Sequence, residues 1–249
     1  MKGLLSTFST IQILLLSIVF LTAIPDTPFA AETLMSTAQK YYYGKGAPKN
    51  LRKAFRLYLM AAEKGDVDAM FIVGGMYIKG MGTNPNSAEA FKWLYHAAIK
   101  GRSSKESERI LAQYFITGQN VPQNYDEAMH WYELAAKGGD SESQSELGYL
   151  YFTGKLGEKD YNKAAYWFEE AARDGYSLAQ YNMGILWYTG NGVTGVDMIK
   201  AYAWFSVAAT NGHQSAVAAK NFLNTTLSSN ELKEAQDESV ELFREIKNL

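Results

Sequence analysis

The 249-residue chain contains no cysteine. That removes thiol nucleophiles, a disulfide framework and attachment through a lipidated N-terminal cysteine. Histidine is nearly as scarce, with only His96, His130 and His213, and none of them has a second metal-type ligand at helical spacing. No metal site is expected, and His96 and His130 read as solvated or groove-edge side chains. Excess positive charge is missing too: 24 Lys and Arg stand against 26 Asp and Glu, a net of −2, so nucleic acid is not an expected partner. The Gly-x-Ser-x-Gly elbow of serine hydrolases does not occur. Acidic pairs such as Glu169-Glu170 suit the polar outer side of a helix. The spelling G-x-G-x-x-G occurs once, at Gly190, Gly192 and Gly195. It lies between two helical patterns rather than after a strand, so it does not mark a dinucleotide site and no cofactor is expected.

What is present is a repeat. Gly65, Gly101, Gly139, Gly175 and Gly212 are spaced 36, 38, 36 and 37 residues apart. Each follows an alanine pair, from Ala61-Ala62 through Ala97-Ala98, Ala135-Ala136 and Ala171-Ala172 to Ala208-Ala209. Four residues before each pair stands Leu57, Trp93, Trp131, Trp167 or Trp204. A fixed period in this range predicts a solenoid whose units bury their apolar faces only against their neighbours. Each unit also has a front half, clearest in Val73-Gly74-x-x-Tyr77-x-x-Gly80, Leu147-Gly148-x-x-Tyr151-x-x-Gly154 and Met183-Gly184-x-x-Trp187-x-x-Gly190. The third repeat follows with Leu111, Ala112, Phe115 and Gly118, the first more loosely with Ala38, Tyr41 and Gly44. Large and small residues three and four apart, then glycine, predict a helix A that ends by turning through positive φ. Helix B is expected to start at Asn50, Asn86, Asn124, Asp160 or Asp197, whose side chains satisfy the free N–H groups of a first turn. Gly74, Gly148 and Gly184, with the paired alanines, allow close helix packing, an aromatic at the next turn filling the gap.

The pattern Leu-Gly-x-x-Tyr-x-x-Gly, then Asp-x-x-Lys-Ala-x-x-Trp and Ala-Ala-x-x-Gly, resembles the Sel-one-like repeat, a relative of the tetratricopeptide repeat. Asp160-Tyr161-Asn162-Lys163-Ala164 and Asp197-Met198-Ile199-Lys200-Ala201 match best, and the resemblance covers residues 33–212. Two departures are Leu57 for tryptophan and Ala112 for glycine. The resemblance implies an all-α, right-handed superhelical solenoid of helix-turn-helix repeats, acting as a non-catalytic protein-binding scaffold or regulator. It also leaves an alternative, since cysteine-rich exported relatives are linked to β-lactam or peptidoglycan binding and hydrolysis. Those relatives hold their repeats with disulfides that this chain lacks.

Outside the repeats, Lys2 is followed by an apolar run over residues 11–24, then Pro25, Pro28 and Ala30-Ala31. This reads as a signal peptide over residues 1–30, the run falling short of the ~20 residues of a spanning helix. A periplasmic or secreted location follows, with no membrane insertion after cleavage. Five repeats and a partial sixth are expected over 31–225. The sixth offers an apolar stripe of Ala216, Ala218, Ala219 and Phe222. A capping helix over 226–249 is expected to open with the box Ser228-x-x-Glu231 and to bury Leu232, Ala235, Leu242, Phe243 and Ile246.

Seventeen tyrosines and 12 phenylalanines exceed what the repeat pattern uses. In tetratricopeptide-like solenoids helix A lines the concave face. Transferred by position, that geometry selects Tyr42, Phe71, Ile78, Arg109, Gln113, Ile116, Tyr149, Phe152, Tyr181 and Tyr188 as the residues that would hold a protein or peptide of the cell envelope. Aromatic side chains give large contact area for little lost rotamer entropy.

Overall fold

The computed structural model describes residues 28–155 and 157–247; the apolar run and nearly all of the expected signal peptide lie outside them. Among the described residues all regular structure is helical. The helices are α1 (Pro28–Tyr43), α2 (Leu51–Glu63), α3 (Val67–Lys79), α4 (Ser87–Ala98), α5 (Lys105–Thr117), α6 (Tyr125–Lys137), α7 (Ser141–Thr153), α8 (Tyr161–Arg173), α9 (Ser177–Thr189), α10 (Met198–Thr210), α11 (Gln214–Thr226) and α12 (Ser229–Lys247). The chain divides into two compact units, one ending at Trp93 and one beginning at Leu94. The expected all-α solenoid of helix-turn-helix repeats is the observed fold class.

In the first unit α2 packs against both α1 and α3. The Phe55 ring stands edge-on to Tyr77 at 5.1 Å, and Tyr42 edge-on to Tyr58 at 6.2 Å. Burial, with the nearby Tyr43 and Tyr42, pushes the Tyr58 hydroxyl up to about 12. In the second unit α5–α6, α7–α8 and α9–α10 are antiparallel hairpins whose successors pack on them in order.

All five helix-B starts fall where the sequence puts them. The side chains of Asn50, Asn86, Asn124, Asp160 and Asp197 each accept from backbone N–H groups of the first turn at 2.9–3.1 Å. Their own N–H groups donate to the carbonyls of Tyr41, Tyr77, Phe115, Tyr151 and Trp187. One residue thus closes the helix-B end and ties it to the aromatic turn of helix A, which explains why cap and aromatic keep a common register. The tight packing has a partner different from the expected one. A Cβ on Gly148 would lie 2.5 Å from the Phe168 ring, and one on Gly184 2.5 Å from the Phe205 ring. The aromatic that needs the glycine therefore follows the tryptophan of helix B directly.

Two buried glutamines join successive repeats. Gln180 donates from Nε2 to Ala172 O at 3.0 Å, and its Oε1 accepts from Asn211 Nδ2 at 2.8 Å. One repeat earlier Gln144 donates to Ala136 O at 3.1 Å, but among the described residues its buried Oε1 has no partner. The reason is at the position matching Asn211, which is Asp174: a carboxylate offers no proton. Asp174→Asn supplies the missing donor and is expected to raise stability by about 1–2 kcal/mol, the cost of one orphaned buried acceptor. Thermal melts read this; an unchanged midpoint would mean that water already serves Gln144.

At the C-terminus, Ser228 and Glu231 form the expected capping box, with the Ser228 N–H donating to Glu231 at 2.9 Å and the Glu231 N–H donating to Ser228 Oγ at 3.4 Å. Within the partial sixth repeat, Ala216 and Leu223 are the buried residues, whereas Ala218 and Phe222 of the expected stripe are exposed. α12 folds back on α10. The face it covers is already modified in sequence: Ala203 and Val207, each 1 % exposed, occupy the positions that hold the exposed Tyr166 and Glu170 in α8. Ala235 is buried in this contact, Leu232, Leu242 and Ile246 pack at its margins, and Phe243 is half-buried.

Candidate functional site

The ten residues selected on helix A divide between the units. In the first, Tyr42 packs on Tyr43 and Tyr58 and donates to Met81 Sδ at 3.7 Å, Phe71 is half-buried, and Ile78 is exposed. Tyr42 is thus engaged by its own repeat and by the next.

In the second unit the seven residues separate into packed and open sets. Tyr181 does not face solvent alone: its ring stacks on His213 at 4.5 Å and tilts against Phe205 at 5.5 Å. Burial at this contact lowers the pKa of His213, whose buried Nδ1 has no hydrogen-bond partner among the described residues. Phe152 stands edge-on to Tyr161 at 5.5 Å and packs on the core around Phe168 and Trp204. Both are there to join helices.

Arg109 is spoken for electrostatically. Its Nη1 lies 2.9 Å from Glu142, and its Nε lies 3.3 Å from Asp140. Asp140 in turn caps α7 by accepting from the Ser143 N–H at 2.8 Å. Close by, Glu146 is raised in pKa chiefly by burial and then by Glu142, and the hydroxyls of Tyr132 and Tyr176 are raised first by burial and then by these carboxylates. The group is a structural clasp between α5 and α7, in which one guanidinium is shared by the two carboxylates of Asp140 and Glu142.

What stays open is Gln113 on α5, the half-buried Ile116, Tyr149 on α7 and Tyr188 on α9. Tyr149 is 49 % and Tyr188 39 % exposed. Phe222 on α11 belongs with them and was not among the selected residues: it is 56 % exposed and stands edge-on to Tyr188 at 6.5 Å. Its register gave the signal. Counted back from the helix-A C-caps Gly118, Gly154, Gly190 and Leu227, Phe222 occupies the position of Gln113, Tyr149 and Ile185, while the neighbouring Leu223 takes the buried place of Leu186. Tyr149 and Phe222 share this register, and Tyr188 lies one turn farther along α9, in edge contact with Phe222; exposed rings so placed form an apolar surface with hydroxyl tips, suited to a polypeptide rather than to a small polar substrate. Among the described residues no group of three or more His, Asp or Glu could hold a metal ion. His96 and His130 are exposed. Also among the described residues, no helix is long and apolar enough to cross a membrane.

The Sel1 repeat family model matches five consecutive segments, 30–66, 67–101, 105–140, 141–176 and 177–213. The chain belongs to the Sel1 repeat family. The solved structure of a Sel1 repeat protein from Oxalobacter formigenes is 30 % identical, with a TM-score of 0.64, over 79 % of this chain and 80 % of that one. A protective antigen present in uropathogenic Escherichia coli strains, displaying an SLR fold, is 28 % identical with a TM-score of 0.67 over 85 % of this chain and 46 % of its own. A curated relative, the chitin synthase regulator SKT5 of Malassezia restricta, is 30 % identical over 113 residues. That match covers 44 % of this chain and 8 % of the fungal protein, so the two share a run of repeats.

Proposed function

We propose that this Sel1 repeat protein is a non-catalytic scaffold or regulator of the cell envelope, which holds a partner protein or peptide on the helix-A surface marked by Tyr149, Tyr188 and Phe222. The observation that carries the reading is the exposure of these three rings at or beside one register, while Tyr181 and Phe152, close by on the same helices, are consumed by packing. Large aromatic groups left in solvent on an otherwise polar protein are what interface hot spots are made of. The regulator name of the fungal relative is in keeping with such a role. Export is part of the proposal and rests on Lys2, the apolar run over 11–24 and the small residues Ala30-Ala31.

The test is the double variant Tyr149→Ala with Tyr188→Ala, compared with the wild type for folding and for partners captured from an envelope extract and identified by mass spectrometry. The variant should keep its helical signal and cooperative melt, because neither ring is buried. It should weaken capture of the specific partner by more than ~1 kcal/mol, about fivefold in affinity. Unchanged capture by a folded variant would move the site off this surface.

A further inference from the structure

Toward its two ends the described chain carries opposite charge, and among the described residues no ion pair neutralises either patch. Over residues 40–62 stand Lys40, Lys45, Lys49, Arg52, Lys53 and Arg56, with no acidic residue among them, in a chain whose net charge is −2. All six are exposed. Among the described residues none of the six forms an ion pair; Lys53 instead donates to the Tyr41 hydroxyl at 2.6 Å and sits 4.1 Å from that ring's centroid. Arg52 and Arg56, one helical turn apart on α2, border two clefts. One is closed by Phe55 and the loop residues Gly80, Gly82, Thr83 and Asn84, the other by Asn50, Lys53 and Leu57. The surface is therefore shaped as well as charged.

The complement lies on α12. At 100° per residue, Glu231, Glu234, Asp237, Glu238, Glu241 and Glu245 all fall within an arc of about 120°. The arc centred on Leu232, Ala235, Leu242 and Ile246 is the one held against α10 and its neighbours. Glu238 and Glu245 flank that arc and line the cleft that α12 forms with Arg173 of α8 and Lys200 of α10, whereas Glu234, Asp237 and Glu241 lie farther round the helix and are exposed; among the described residues none of the ridge's carboxylates is ion-paired, and only Glu231 is engaged, in the capping box. On the outward side Glu234, Asp237 and Glu241 recur about every turn, or ~5.4 Å, which is also the spacing of Arg52 and Arg56.

We propose that the basic α1–α2 surface of one copy is the docking site for the acidic ridge of α12 on a second copy, so that the protein associates head to tail. Guanidinium groups one turn apart meet carboxylates one turn apart, a geometry in which each contact is a charge-assisted hydrogen bond. Because the two surfaces differ, the contact is heterologous, and a copy bound through one surface still presents the other, so copies add in succession. Such chains would line up several aromatic helix-A surfaces, and a partner with repeated binding segments would gain avidity from them.

Sedimentation velocity and light scattering on the purified protein test this. At low salt the weight-average mass should rise with concentration, and at several hundred millimolar salt it should return to that of a monomer, since exposed charges are then screened within a few ångströms. Arg52→Glu with Arg56→Glu, and separately Glu234→Lys with Glu241→Lys, should each leave the melt unchanged and abolish association at low salt. Mixing the two charge-swapped proteins should restore it, because each then presents the complement of the other at both ends. A wild type that stays monomeric at low salt, association that survives either swap, or a mixture that remains monomeric would overturn the proposal. If the wild type is monomeric yet binds a synthetic glutamate-rich peptide through Arg52 and Arg56, the basic surface serves a different acidic partner.

Discussion

Replacing Trp131 by alanine is expected to lower the stability of the protein by about 3–5 kcal/mol, as removal of a buried large side chain does. The indole is 5 % exposed on α6. Its edge meets Tyr95 of α4 at 6.1 Å, and its Nε1–H donates to Glu127 at 3.1 Å. The substitution therefore deletes core volume, an aromatic contact to the preceding helix and the partner of a carboxylate. In a repeat protein, loss inside one unit also weakens its interfaces with both neighbours, because no unit can bury its apolar face alone. With total stabilities of 5–15 kcal/mol for ordinary domains, a loss of this size removes a large share of what holds the structure together. Thermal or denaturant melts of wild type and variant give the number, and a loss within about 0.5 kcal/mol would place Trp131 among surface residues.

The repeat was legible because it is written at fixed intervals. Cap, tryptophan, alanine pair and glycine each obey one local requirement, and five copies of the same requirement stand out from a single sequence. The concave-face assignment was less legible for a physical reason. Register says which side of helix A a residue is on, but the identity of its neighbours decides whether the side chain stays there. Tyr181 and Tyr149 both lie on helix A outside the packed register, yet Tyr181 meets His213 and Phe205, residues that belong to the next helices. Arg109 likewise looked available until Asp140 and Glu142, more than 30 positions along the chain, closed on it. Phe222 was hidden by the opposite error. An apolar residue in a terminal helix was counted toward the core, whereas matching Leu223 to Leu186 places Phe222 on the open side. The same comparison across repeats shows why α12 covers α10: Ala203 and Val207 stand where other helix-B outer faces carry Tyr166 or Glu170.

Gly192→Ala should be nearly as damaging as the tryptophan deletion, and it separates two roles that glycine has in these loops. Gly192 follows the left-handed end of α9 and itself has φ 69, a region where a Cβ costs about 1–2 kcal/mol. That alone is shared with many glycines here. What Gly192 adds, as Gly82 does against Leu51, is that a Cβ would overlap a backbone carbonyl, here the oxygen and carbon of Tyr161 in the first turn of α8. Backbone at a helix start cannot swing away as a side-chain tip does, so overpacking adds a further ~1–3 kcal/mol, for a total loss of about 2–5 kcal/mol. The loop of the fifth repeat is seated on the second helix of the fourth by this contact, so the glycine in the G-x-G-x-x-G spelling serves an interface between repeats. Gly175→Ala is the matched comparison: its φ is 85, and nothing lies within 4 Å of the added Cβ. It should lose only the conformational part, about 1–2 kcal/mol. Melts of the two variants side by side decide the matter. Equal losses would mean that the close approach to Tyr161 contributes nothing beyond backbone strain, while a loss at Gly192 larger by at least ~1 kcal/mol assigns the difference to the contact between repeats.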